Sequence, residues 1–223
     1  AWDTWLAAWA GMAMLLGWGA WRGGRRLRTL VQVASVLVGG IWLGVMIGQG
    51  LFVGWARDGV PWRTAPALVL LTAAAALLPL VGGRNPYCER VCPHGAAQNL
   101  LFRLVPWRWV LPGRIDHWLR WIPGLLVAVV VVLAVLGWRG DFAGFEPFDI
   151  WSAWWYALVP GVLWVAGLGV SALIPKAYCH YGCPTGELLR FLGGKRAAWS
   201  RRDTLAAVLV AAALALTFSG IGA

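Results

Sequence analysis

The stretches "PYCERVCPHG" (residues 86–95) and "AYCHYGCPTG" (residues 177–186) hold all four cysteines of a 223-residue chain. Each contains Y-C-x3-C-P-x-G: Tyr87, Cys88, Cys92, Pro93 and Gly95 first, then Tyr178, Cys179, Cys183, Pro184 and Gly186. Five matched positions in two segments read as an internal duplication. The repeated unit is a span, a cysteine loop, a short helix and a return span, about 64–138 and 155–221.

The chain around the motifs is 60% hydrophobic, has 18 Trp and only 13% charged residues, which is membrane composition. Apolar runs near 4–21, 29–55, 64–82, 118–138, 155–174 and 204–221 are each about long enough to cross a hydrocarbon core of roughly 30 Å as a helix. The expected fold is therefore all-α: a single polytopic membrane domain, residues 1–223, with about six transmembrane helices. The first run reads as a span and not as a cleaved leader, because its basic cluster follows the apolar stretch.

Basic residues set the orientation, since Lys and Arg collect in loops that stay in the cytoplasm. One side carries Arg22, Arg25, Arg26 and Arg28, then the Arg84–Arg120 group, then Lys176, Arg190, Lys195, Arg196, Arg201 and Arg202. Only Arg57, Arg63 and Arg139 remain for the other side. Both cysteine loops are then cytoplasmic and both termini periplasmic, in a bacterial inner membrane. Topology and anionic lipid heads account for the net charge of +10, and no nucleic-acid partner is expected.

Cytoplasmic thiols are kept reduced, so structural disulfides are a poor explanation for four cysteines on that face. Pro93 and Pro184 suit the first position of a helix, and each C-x3-C is expected to be a loop ending at a helix start. Helix N-termini present free N–H groups and partial positive charge, which favour thiolates. Cys88, Cys92, Cys179 and Cys183 are thus the candidate ligands of one metal centre. The spacing favours an iron–sulfur cluster over zinc or Cu(I), and four cysteines alone suit either a [4Fe–4S] or a [2Fe–2S] cluster.

"YCERVCPHGAAQNLLFRL", with "RTLVQVASVLV", "FEPFDIW", His117 with Arg120 and "YCHYGCPTGELL", resembles the membrane iron–sulfur proteins of the NosR/NapH type. That resemblance implies a [4Fe–4S] cluster in a membrane module that moves electrons between quinols or cytoplasmic donors and periplasmic respiratory enzymes. It also implies redox partners: a ferredoxin-like protein on the cytoplasmic side and a flavin or haem protein on the periplasmic side. The C-x2-C-x2-C-x3-C-P run usual in the family is absent from this sequence, as is a soluble flavin domain, so it is expected to be the family's membrane core. A quinone, or a haem or flavin in a partner, would then supply the second carrier. The chain is expected to be a redox subunit and not a stand-alone enzyme.

Tyr87, Pro93, His94, Tyr178, His180 and Pro184 surround the ligands and are expected to support them. His117 reads as an interfacial histidine. Gly40, Gly44 and Gly48 read as a small-residue packing stripe, and Gln32 and Gln49 as interhelical hydrogen-bonders, with quinone contact as the alternative. Glu146 and Asp149 lie in an acidic, aromatic outer loop, which reads equally as an interfacial half-helix anchoring the bundle or as the place where an external partner docks. Two other functional classes fit the same thiols: a Cu(I)-handling or metalloenzyme assembly factor, and a zinc-stapled membrane anchor. No phosphate loop, nucleophile elbow or H-E-x-x-H is present, which leaves no hydrolytic constellation.

Overall fold

The computed structural model describes residues 5, 8, 9, 11, 24–82, 85–137, 146–152 and 158–193. Among the described residues every regular element is helical. The expected runs 4–21, almost entirely, and 204–221, entirely, lie outside them. Helix α1 (Arg25–Ala34) continues as a π-helical stretch, Ser35–Trp42, and α2 spans Gln49–Asp58. Helix α3 covers Pro66–Gly82 and leads into the first cysteine loop, where Tyr87–Val91 form a π turn; α4 then spans Pro93–Leu104. In the second half α5 is Gly113–Leu119, α6 Ile122–Val135, α7 Asp149–Ser152, α8 Leu158–Leu173, α9 Ala177–Tyr181 and α10 Pro184–Gly193.

Among the described residues one stretch, Gly113–Val135, is long and apolar enough to cross a membrane: 23 residues, with a mean hydropathy of 2.2 over an 18-residue window. At 1.5 Å per residue it measures about 34 Å, against a core of roughly 30 Å. Pro66–Pro79 and Leu158–Leu173 are apolar but shorter. Leu70, Leu77, Leu125, Val162 and Val165 all point outward from these three helices.

The run at 29–55 is a correction, because it is not one continuous helix. It breaks at residues 43–48, where Gly44 takes a left-handed φ of 60° that a larger side chain rarely adopts. A break in an apolar region is tolerated only where its backbone groups find partners. Here the N–H of Gly44 donates to Gly40 and that of Val45 to Gly39, at 3.0 and 3.1 Å. The N–H of Ile47 donates to the Tyr87 hydroxyl at 2.8 Å, and that of Gln49 to the Glu146 carboxylate at 2.7 Å. The glycine stripe is consequently split between segments. Gly40 lets Trp151 and Pro93 approach, while an added Cβ at Gly48 would meet the Glu146 carboxylate at 2.6 Å.

The duplicated halves interlock. Helix α4, which follows the first cysteine loop, packs on α8, which precedes the second; α10, after the second loop, packs on α3, before the first. Helix α4 also packs on α1 and its π extension, and α10 on α6. This exchange draws the two loops together and buries Ile47, Leu71, Tyr87, Val91, Cys92 and Leu189 in one apolar cluster. Fully buried side chains such as Ile47 and Leu189 contribute about 1.5–3 kcal/mol each.

Candidate metal centre

Both loops place their second cysteine deep and their first nearer the surface. Cys92 and Cys183 are buried, whereas Cys88 and Cys179 are half-buried. The local cause is the proline predicted to open each following helix. Cys92 is extended at φ −61°, ψ 118°, the geometry demanded of a residue before proline, and Pro93 begins α4. The N–H groups of that first turn, at His94 and Gly95, face the Cys92 sulfur, and the Gly186 N–H donates to the Cys183 sulfur at 3.1 Å.

All four thiols line one cavity of about 460 Å³. Its inner wall is made by Ile47 at the helix break, Tyr87, His94, Phe148 and Tyr178; Lys176 and the exposed His180 stand at its mouth. The loops are in van der Waals range of each other: a Cβ added to Gly95 would lie 3.7 Å from the Cys179 sulfur and only 2.5 Å from the carbonyl oxygen of Cys88. Glycine is required there by space, since backbone cannot give way.

Two side-chain amides clasp the outer cysteines. The Asn85 amide nitrogen donates to the Cys88 sulfur at 3.3 Å while its oxygen accepts the Cys88 N–H at 3.2 Å. Gln98, fully buried on α4, donates to the Cys179 sulfur at 3.2 Å; its oxygen accepts the Ser171 hydroxyl at 2.8 Å and, more weakly, the Cys179 N–H at 3.5 Å. Neither amide was among the residues singled out in the sequence. Gln98 had a signal, since it extends the first motif as Y-C-x3-C-P-x-G-x2-Q.

Electrostatics show what this site needs. Burial, followed by mutual repulsion with Cys179, pushes the Cys92 thiol up to about 12, against the helix N–H groups that lower it. Burial likewise raises Cys88 and Cys183 well above the ordinary thiol value, and raises Cys179. Cys88 is raised further by Cys92 and Cys179, and Cys183 by Cys179 and Glu146, so the four sulfurs sense one another. Four buried thiols cannot ionise together unless a cationic centre compensates them, and coordination to metal supplies that compensation.

The donor set fits an iron–sulfur cluster. Four cysteines lining a common cavity, each with an N–H donor on its sulfur, make a donor set suited to a polynuclear iron–sulfur centre.

The supporting residues divide. Tyr87, Pro93, His94, Tyr178 and Pro184 are all buried around the thiols, but His180 is exposed at the mouth. His94 is 1% exposed, with both ring nitrogens unpartnered among the described residues, packed edge-on to Phe148, Trp151 and Tyr178. Desolvation lowers it to about 3, so it is neutral. His117 is exposed on α5 beside Trp121, while Gln32 and Gln49 are buried away from the cavity.

Glu146 is a correction. It is 2% exposed and accepts hydrogen bonds from the Gln49 N–H and, at 2.6 Å, from the Thr185 hydroxyl. A carboxylate so enclosed offers nothing to an external partner. The physical reason is that the Glu146–Trp151 segment folds inward onto the cysteine loops, where Phe148 packs against Tyr178 and Cys183. Asp149 opens α7.

Known proteins give the same assignment. The "4Fe-4S binding domain" family matches the chain twice, over residues 64–112 and 156–204, and each match contains one cysteine pair. The chain is also similar to the "Regulatory protein NosR" of Pseudomonas aeruginosa: 29% identity over 184 residues, covering 74% of this chain and 25% of that protein. The chain therefore spans about a quarter of that relative's length. No solved structure gives a significant match. The resemblance to NosR-type iron–sulfur membrane proteins, read from the cysteine motifs, is borne out by both findings.

Proposed function

We propose that this iron–sulfur chain is a membrane electron-transfer subunit that binds one [4Fe–4S] cluster through Cys88, Cys92, Cys179 and Cys183 at the cytoplasmic face, within a larger redox assembly. The observation that carries this reading is the meeting of two separate cysteine pairs in one cavity. The bound cluster supplies one-electron redox chemistry.

The chain's own residues hold and insulate that chemistry. Asn85 and Gln98 orient the outer sulfurs, and the helix N–H groups at Gly95 and Gly186 stabilise the inner ones. Ile47, Tyr87 and Phe148 keep water from the inner side. Cys88 and Cys179 face the mouth, where Lys176 gives a cationic edge suited to an acidic, ferredoxin-like partner. The outward apolar faces of α3, α6 and α8 support a lipid setting, and a six-span bundle with periplasmic termini is the arrangement we favour. A single site at one face leaves most of a roughly 30 Å core uncrossed. Transmembrane transfer then needs a second carrier, a quinone or a partner's haem or flavin.

Anaerobic purification with iron and acid-labile sulfide analysis tests the reading. About four irons and four sulfides per chain, with a visible absorbance bleached by dithionite, are expected. Zinc or copper without sulfide would move the protein to the anchor or metal-handling class.

A further inference from the structure

We propose that Glu146 is a buried positioning residue that ties the second cysteine loop to the helix break and holds negative charge beside the metal centre, setting its reduction potential low. The proposal rests on the iron–sulfur reading above and adds to it a determinant of potential.

Three segments remote in sequence meet at this one carboxylate. Its Oε1 accepts from Thr185, two residues after the ligand Cys183; its Oε2 accepts from the backbone N–H of Gln49, the first residue of the ten-residue α2. Both oxygens are thus directed, and the carboxylate sits at the positive end of a helix, where negative charge is stabilised. Gly48 leaves the room: any Cβ there would lie 2.6 Å from Oε2. Breaking an apolar helix and burying an acid in the gap is costly unless each satisfies the other, and here they do. Through Thr185 the same contact fixes the start of α10, and with it the Cys183 sulfur that the Gly186 N–H holds.

The carboxylate lies one hydrogen bond behind the cavity wall, since its donor Thr185 lines the same cavity as Cys183, two residues away. A fixed negative charge beside a centre disfavours adding an electron to it. A plain structural cap would do the tying without the charge effect, and the two are separable by experiment.

The full chain is purified anaerobically with its cluster, and its midpoint potential is measured by EPR-monitored redox titration for the parent, Glu146→Gln and Thr185→Val. Glu146→Gln loses the charge; its one amide oxygen can still accept the Gln49 N–H while its NH2 turns to the Thr185 hydroxyl, which can accept as well as donate. The expected result is parental iron and sulfide content with reduction favoured about tenfold, about 59 mV for one electron. Thr185→Val keeps the charge and removes one hydrogen bond to it; a smaller shift with altered EPR g-values is expected. A loaded Glu146→Gln protein with the parent's potential overturns the proposal. Should that variant fail to load, a Thr185→Val protein identical to the parent in loading and g-values overturns it. A parent without iron and sulfide sinks the iron–sulfur reading itself. In that metal-free protein an unchanged unfolding temperature in Glu146→Ala would overturn the tying role as well, and a lowered one is expected.

Discussion

The two cysteine loops share a motif and differ in nearly everything that supports it. At matched positions Asn85 faces Lys176, His94 faces Thr185 and Gln98 faces Leu189. The first loop clasps Cys88 with its own Asn85, while the second has at that place Lys176 in a left-handed conformation at φ 53°. Cys179 instead takes its amide from Gln98 of the first half. Tyr87 receives the Ile47 N–H, but the buried Tyr178 hydroxyl has no partner among the described residues. Ligands are thus duplicated, and their supports are divided between the halves. Neither loop is a complete site, which is how one centre shared by two copies differs from two centres.

Exchanging residues between the halves tests that division. The largest effect is expected at the glycines. A methyl at Gly95 meets the Cys88 carbonyl at 2.5 Å, whereas at Gly186 the nearest atoms lie at 3.3–3.4 Å. Gly95→Ala should destabilise by about 3 kcal/mol and abolish cluster retention, with Gly186→Ala costing under about 1 kcal/mol, read by thermal unfolding in detergent and iron content. Equal losses would show that each loop leaves the same clearance at its own glycine.

Next come the residues facing each other at 98 and 189. Gln98→Leu removes the amide donor from the Cys179 sulfur and one acceptor from the Ser171 hydroxyl, which keeps the Gly167 carbonyl, and Leu189→Gln buries an unpaired amide at a fully enclosed position. Each should lower stability by about 1–3 kcal/mol, but only Gln98→Leu should alter the EPR signal. A signal changed by Leu189→Gln alone would reverse the assignment of support.

The smallest contrast is between Thr185 and His94. Thr185→Val removes the hydroxyl that donates to Glu146 and should cost about 1 kcal/mol. His94→Leu removes two unpartnered nitrogens from an apolar setting and should change the stability of the metal-free protein by less than about 1 kcal/mol. If His94→Leu is the more damaging in that protein, its ring has a partner that its buried surroundings do not reveal.

The four cysteines that share the cavity are legible in the sequence because thiols are rare and chemically specific, and the repeat marks them twice. The helix starts at Pro93 and Pro184 were legible because proline acts locally. The break at residues 43–48 was not: the run is uniformly apolar, and its glycines read equally well as a packing stripe. What opens it is tertiary, the Tyr87 hydroxyl and the Glu146 carboxylate arriving from elsewhere. Glu146 showed only its acidity in sequence, so it was placed on an outer surface. Its burial depends on an inward fold of residues 146–152 that no local pattern encodes. Asn85 stands three residues before Cys88 and would be found by asking what could reach a half-buried sulfur.

The claim that both halves share one centre is tested most directly by four single variants, Cys88→Ser, Cys92→Ser, Cys179→Ser and Cys183→Ser, each assayed anaerobically for iron, sulfide and the dithionite-reduced EPR signal. Loss of the parental signal in every one, whichever loop is altered, is the expected result. Retention of half the iron with an unchanged signal when only one loop is altered would contradict it, and would mean that each loop binds its own metal.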